Sequence, residues 1–397
     1  MKKNIAVFLF LALGVGTLAH ADEKSAVWER IYNYSVNDEM RYSVLLNIRE
    51  LHDTQFGNLL TQALTDLVSR QIELGNTNEV EIKVRLATGI IEELASLKEI
   101  GAADQIFQVF KSTQRYPFLK AEAAMALGQI RATDYVPDLV RALSDLNVTP
   151  DRDKASEQEI LAFGLVQALA SMKAAEGYEP VFFASIGWYG PQRKVKETAR
   201  AMLKTMVDDP TASLLKILQG QPTPVNKLYA LQAEDDSKAP AAGKSQVALA
   251  ALEDGVRVVP QNIVESTQWG ELRKKALAML VGSRDKSPAA APLLRQQYKT
   301  AALARDTSEI LSVLQALGVN GTPDSMAFLI ELMTGFNVRA ATPGLLQDFD
   351  IQQVRTILQA FKNAADPAAR PVLLEAQYLY TPAVQRDIKA VLASLPQ

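Results

Sequence analysis

The chain has 397 residues, 48% of them hydrophobic, and a formal net charge of -3. That hydrophobic share over such a length argues for a large folded body rather than a disordered chain, and the mildly acidic balance excludes bulk attraction to nucleic acid. There is no cysteine, which excludes disulfides, thiolate metal sites and a lipid-bearing N-terminal cysteine.

The first predicted element is a leader. In "MKKNIAVFLFLALGVGTLAHA", Lys2 and Lys3 precede an apolar run from Ile5 to Leu18, and Ala19-His20-Ala21 supplies a small-x-small cleavage pattern. The run falls short of the roughly 20 residues that a membrane span needs, and no later stretch comes close. The expected signal peptide is therefore residues 1–21, and the mature chain, residues 22–397, has no membrane span and carries -5 once Lys2 and Lys3 are removed. Such a leader points to the bacterial periplasm, with full secretion as the alternative.

Next, "AVWERIYNYS" at 26–35 lies outside the clear repeats. Its Trp28, Tyr32 and Tyr34 suit a helical cap over the first layer of an array, whose end units are otherwise half-exposed. Beyond it, apolar residues recur at three- and four-residue spacing almost everywhere and strand alternation is not evident, so the chain is predicted to be all-α. Asp209-Pro210, Ser287-Pro288, Thr322-Pro323, Asp366-Pro367 and Thr381-Pro382 each place a capping side chain before a proline and read as helix starts.

The helical runs repeat. "GIIEELASLKEIGAADQIFQVF" at 89–110 is anchored on Leu94, and "AEAAMALGQIRATDYVPDLVRALSD" at 121–145 on Leu127. Echoes follow with anchors at Leu169, Leu203, Leu280, Leu317 and Phe361, spaced 33 to 44 residues apart except for a gap of 77 between Leu203 and Leu280. "SQVALAALEDG" at 245–255 is taken to fill that gap. A period in this range built of two helices means an α-solenoid. Within it Ala123, Ala124 and Ala126 let neighbouring backbones approach, while Leu119, Leu127 and Ile130 fill the space between layers.

With its Ala-Leu-Gly helix, short turn and Pro-x-Leu-x-x-x-Leu helix, the 121–145 segment resembles a HEAT-like repeat of the phycobilisome-lyase kind. One unit matches closely, and the helix-pair grammar alone extends over residues 38–395. The resemblance implies a curved superhelix of HEAT-like helix pairs with Ala-rich helices lining its inner surface. It does not imply lyase activity, because such units serve unrelated functions. One stretch departs from the pattern. "QGQPTPVNKLYALQAEDDSKAPAAGKSQ" at 219–246 reads as an exposed loop or hinge, which places a loop insertion at 221–246 between repeat segments 22–220 and 247–397.

The inventory of reactive groups is thin. His20 leaves with the leader and His52 remains alone, which removes multi-histidine metal sites and conventional triads. HEAT-like enzymes that bind two irons use paired His-Glu steps, and no such dipeptide occurs. Glu92-Glu93, Asp208-Asp209 and Asp235-Asp236 are sequence neighbours, which diverge by about 100 degrees on a helix and so form no dyad by themselves. Gly187, Gly190 and Gly243-Lys244-Ser245 make no phosphate-cradling motif, and no Glu-Ser motif leads into a Gly-Leu-Met-Gln segment. No catalytic residue, metal or cofactor is expected.

Two stretches stand out for binding. "GWYGPQRKVKETAR" at 187–200 sets Trp188 and Tyr189 between glycines, ahead of Arg193, Lys194 and Lys196; "TQWGELRKKALAML" at 267–280 repeats the theme with Trp269, Arg273, Lys274 and Lys275. Both are placed in the turn before an Ala-Leu helix, as an aromatic and basic edge. The expected function is a non-catalytic periplasmic scaffold that holds another envelope protein. The alternative is binding or carboxylate-based processing of cell-envelope polysaccharide such as peptidoglycan, with an anionic glycan stacked on Trp188 and Trp269.

Overall fold

The computed structural model describes residues 24–396 apart from 149, 221, 222 and 343; the expected signal peptide lies outside the described residues. Two compact units divide the chain, Met1–Val207 and Asp208–Gln397. Among the described residues there is no strand, and no helix is long and apolar enough to cross a membrane.

The first unit holds α1 (24–34), α2 (Asp38–Leu51), α3 (Phe56–Ser69), α4 (Thr77–Ser96), α5 (Ala103–Ser112), α6 (Pro117–Gln129), α7 (Val136–Val148), α8 (Ala155–Met172), α9 (Tyr178–Ile186) and α10 (Val195–Met206). In the second are α11 (Thr211–Gly220), α12 (Pro224–Asp236), α13 (Ala241–Arg257), α14 (Ile263–Gly282), α15 (Ala290–Ala304), α16 (Thr307–Asn320), α17 (Pro323–Ala340), α18 (Asp348–Ala364), α19 (Arg370–Ala376) and α20 (Pro382–Ser394). Within each unit the even-numbered helices pack one on the next in a single layer, and the odd-numbered helices form the other. This is an α-solenoid of helix pairs in both units.

The leucine anchors explain the layering. Leu94, Leu127, Leu169, Leu203, Leu280, Leu317 and Phe361 are all buried, and every one lies on an even helix. Their backbone exits repeat as well. Four residues beyond six of the seven anchors stands a left-handed residue: Lys98, Arg131, Lys173, Arg284, Gly321 and Ala365. At Leu94, Leu127, Leu169 and Leu280 the anchor carbonyl accepts the amide five residues on, from Glu99, Ala132, Ala174 and Asp285. That closure satisfies a carbonyl the helix end would leave unpaired and turns the chain toward the other layer.

The small residues set the spacing within the even layer. A Cβ built on Gly128 of α6 would sit 2.6 Å from Ala168 Cα on α8, and one on Gly164 of α8 would sit 2.8 Å from Ala121 O on α6. The same contact recurs in the second unit, where a Cβ on Gly318 of α16 would lie 2.4 Å from Ala360 Cβ and 2.9 Å from its Cα on α18. In both units the glycine follows the anchor leucine and meets the alanine that precedes the next anchor. Helix backbones therefore touch with no side chain between them. Gly318→Ala is expected to cost about 1–3 kcal/mol by overpacking, read as a lower midpoint in urea melts, although alanine is the better helix former.

The expected hinge is absent from the described part of its range. Of 221–246, residues 224–236 belong to α12 and 241–246 to α13. The prolines that read as breakers are helix starts: Pro224 occupies the first turn of α12, where its missing N–H would be unpaired anyway, and Pro240 is the N-cap residue of α13. The anchor missing between Leu203 and Leu280 is the fully buried Leu231 of α12, not the 245–255 stretch, which forms α13 in the other layer. At the N-terminus Tyr32 is buried and Trp28 half-buried, whereas Tyr34 is 80% exposed.

Candidate functional site

In the first unit, the 187–196 segment joins α9 to α10. Trp188 is half-buried, and its indole Nε1 donates to the Leu146 carbonyl at 2.9 Å. Tyr189 is 1% exposed and its hydroxyl donates to Asn147 Oδ1 at 2.8 Å, so burial pushes its phenol pKa up. The two rings lie 4.5 Å apart, and the Gly190 amide donates to Glu159 Oε1 at 2.6 Å. Together they plug the seam between α7, α8 and α9. Arg193 and Lys194 are exposed and Lys196 is half-exposed at the start of α10. The cations face water, but Tyr189 is buried and Trp188 is half-buried, so no pair of open rings stands with them.

The second stretch differs more. α14 begins at Ile263, where Asn262 Oδ1 accepts the Glu265 amide at 2.9 Å, so residues 267–280 lie inside a helix and not in the turn before one. Trp269 is 4% exposed and packed into the core. Arg273 is buried: its Nε donates to Glu309 Oε1 at 2.7 Å, its Nη2 to Oε2 at 3.2 Å and its Nη1 to the Gly255 carbonyl at 3.3 Å. Gln297 donates to the same Glu309 oxygen at 2.5 Å, so one polar knot ties α13, α14, α15 and α16. Lys274 pairs with Asp306 at 2.8 Å and Lys275 with Asp235 at 2.5 Å. An open aromatic and basic edge is therefore not formed at 269–275. Its residues are used to join helices, and Lys275 also lines a cavity.

That cavity is a groove of about 390 Å³ where α12 ends, α13 begins and α14 passes beneath. Asp235, Lys244 and Lys275 form its polar wall, and Ala239, Ala278 and Gly282 its floor. Lys244 Nζ donates to the main-chain carbonyl of Asp235 at 2.8 Å. Ser283, at the rim, shares a 2.8 Å hydrogen bond with Ser245 across α13 and α14. A larger cleft of about 680 Å³ lies in the first unit among α2, α3 and α4. Its charges neutralise one another, since Arg70 binds both Asp38 and Asp66 and Arg41 spans the same two carboxylates. Burial alone would push the Asp38 carboxyl up, but Arg70 and Arg41 hold it below the usual carboxylate range.

A model of the PBS lyase HEAT-like repeat family matches residues 119–145, the segment from α6 into α7. This segment is a HEAT-like repeat. The HEAT-like pair includes α6, which meets α8 through Gly128 and Gly164. No curated protein matches the chain. Among solved structures, the crystal structure of an engineered protein is similar at 15% identity, over 92% of this chain and 98% of that one, with a TM-score of 0.35.

Beside the groove of the second unit lies a carboxyl that the sequence did not single out. Glu234 is fully buried, and its Oε2 has no hydrogen-bond partner. Thr211 Oγ1 stands 2.9 Å from Glu234 Oε1 and 2.6 Å from Asp209 Oδ1. A hydroxyl carries one proton, so Thr211 can donate to only one of the two carboxyl groups at a time. Burial pushes the Glu234 pKa up, against the pull of Thr211. A raised folded-state pKa gives stability that is present at low pH and lost as pH rises through the raised value. Glu234→Gln is accordingly expected to be about 1–3 kcal/mol more stable than wild type near pH 8, with the gap closing toward about pH 5 in melts run across that range.

Proposed function

We propose that the mature chain is a non-catalytic scaffold of the bacterial envelope, periplasmic through its leader, whose HEAT-like helix pairs hold another protein. The observation that carries this reading is apolar side chain left exposed at many points on the stack, two of which bring several together in sequence. On α1, Val27, Ile31 and Tyr34 stand at helical spacing on the face opposite the buried Tyr32, and in the second unit Val258, Val259, Ile263 and Val264 cluster at the α13–α14 connection. Val259 and Ile263 are each 85% exposed. Apolar side chains gathered in water favour a protein surface as their neighbour. A glycan would instead call for aromatic platforms, and Trp269 is buried.

The test is affinity capture with the tagged mature protein from envelope extract, set beside a Val259→Glu/Ile263→Glu variant and a Val27→Glu/Ile31→Glu variant. One partner protein, enriched by wild type and depleted by at least one variant, is the expected result. Recovery of glycan alone, or of nothing that depends on these side chains, would overturn the proposal.

A further inference from the structure

We propose that the groove between α12, α13 and α14 is the docking site for an acidic peptide segment of a partner protein; the inference rests on the scaffold reading and names a ligand chemistry for it. The first ground is charge. Two ammonium groups, Lys244 and Lys275, converge on one carboxylate, and only Lys275 is paired with it: Lys275 Nζ lies 2.5 Å from Asp235 Oδ2, while Lys244 Nζ spends its hydrogen bond on the Asp235 carbonyl. Among the residues that line it, the groove therefore has one more ammonium than carboxylate, within a chain that is acidic overall.

Exchange is easy at this position. The Asp235 side chain is 42% exposed, and an ion pair so placed contributes little to stability. An incoming carboxylate replaces it at Lys275, draws Lys244 off the carbonyl and bridges both ammonium groups. Each lysine exchanges one oxygen partner for another, and the Asp235 side chain returns to water.

Room is the second ground. The volume, about 390 Å³, falls in the range of ligand pockets. A Cβ built on Gly282 has no atom within 4 Å, so the floor is open where a ligand side chain would lie, and Met279 beside it is an adaptable wall. The occupant is peptide rather than sugar because no aromatic ring lines the groove, and a floor of alanine and glycine suits a slim backbone with short side chains.

An alternating Glu-Ala octapeptide carrying fluorescein, titrated with the full mature chain at low ionic strength and read by anisotropy, tests this. Wild type is expected to bind saturably, Asp235→Asn more tightly, and Lys244→Ala/Lys275→Ala at least about tenfold more weakly. Gly282→Leu is the deciding variant. It changes no charge, enters open space and replaces glycine by a better helix former, so the fold is kept while the floor is filled; binding should fall about as far. Unchanged melts for Gly282→Leu accompany that result. Wild-type affinity in Gly282→Leu would mean diffuse charge attraction and overturn the proposal. So would the absence of saturable binding by wild type, or binding of an acidic oligogalacturonate in place of the peptide. A partner captured from envelope extract equally well by Gly282→Leu would leave the scaffold reading standing without this groove, and that separates the two failures.

Discussion

Glu309→Ala is expected to lose about 3–5 kcal/mol of stability, seen as a large fall in the urea midpoint of the second unit. Glu309 is 1% exposed and receives Arg273 through two hydrogen bonds and Gln297 through a third. Removing it strands a guanidinium whose remaining partner is the Gly255 carbonyl. The site is built for this arginine: a Cβ on Gly255 would lie 2.6 Å from Arg273 Cγ, so the glycine clears space for the arginine stem. The loss comes from the stranded charge rather than from the pair's net worth, because two desolvated ions return little beyond what burial cost them. Arg273→Met/Glu309→Leu should therefore recover most of the stability that Glu309→Ala removes. A double variant as unstable as the single one would contradict that division.

Leu127→Ala should cost about 2–5 kcal/mol, the range for a leucine truncated in a core that cannot collapse around the gap. Leu127 is fully buried between the layers of the first unit, and its neighbour Gly128 is pressed against Ala168. Backbone contact with α8 keeps α6 from moving inward to fill the cavity, which argues for the upper half of the range. Leu46, on the exposed face of α2, provides the comparison: Leu46→Ala is expected to stay within about 0.5 kcal/mol of wild type. Similar losses for the two would mean that the anchor register is wrong.

The even layer was legible because burial writes itself into sequence. Leu127, Leu169 and Leu317 each follow an alanine, and large-beside-small is what a helix needs when one face fills a core and the adjacent face touches another backbone. The turns that end those helices were not legible. Left-handed closure is expected at glycine or asparagine, yet Lys98, Arg131, Lys173 and Arg284 adopt it, and Gly321 alone follows the rule among the six. α12 was hidden by the prolines that start it and its successor, although "YALQ" holds the anchor pair Ala230 and Leu231.

The binding edge departs from its expected form for a different reason. Trp269 and Gly270 look like a turn in isolation, while the signal that places them inside α14, Asn262 with Glu265 three residues on, is a capping pattern eight residues upstream of Gly270. The partners of the cations are remote in sequence. Arg273 meets Glu309, Lys274 meets Asp306 and Lys275 meets Asp235, and Tyr189 meets Asn147. Such pairings follow from the stacking of repeats and from nothing local. Lys275 was singled out for its charge; its place in a groove with Lys244 and Gly282 comes from the register of α13 against α14.

That register supports both the layered fold of the second unit and the groove, and the chain's lack of cysteine makes it directly measurable. Ser245 on α13 and Ser283 at the end of α14 hold their hydroxyl oxygens 2.8 Å apart. In Ser245→Cys/Ser283→Cys, oxidised in dilute solution and titrated for free thiol, the account predicts an intramolecular disulfide in essentially every molecule and a gain of about 4 kcal/mol over the reduced form for the loop it closes. Two free thiols that persist through oxidation, with the protein still folded and helical, would contradict it.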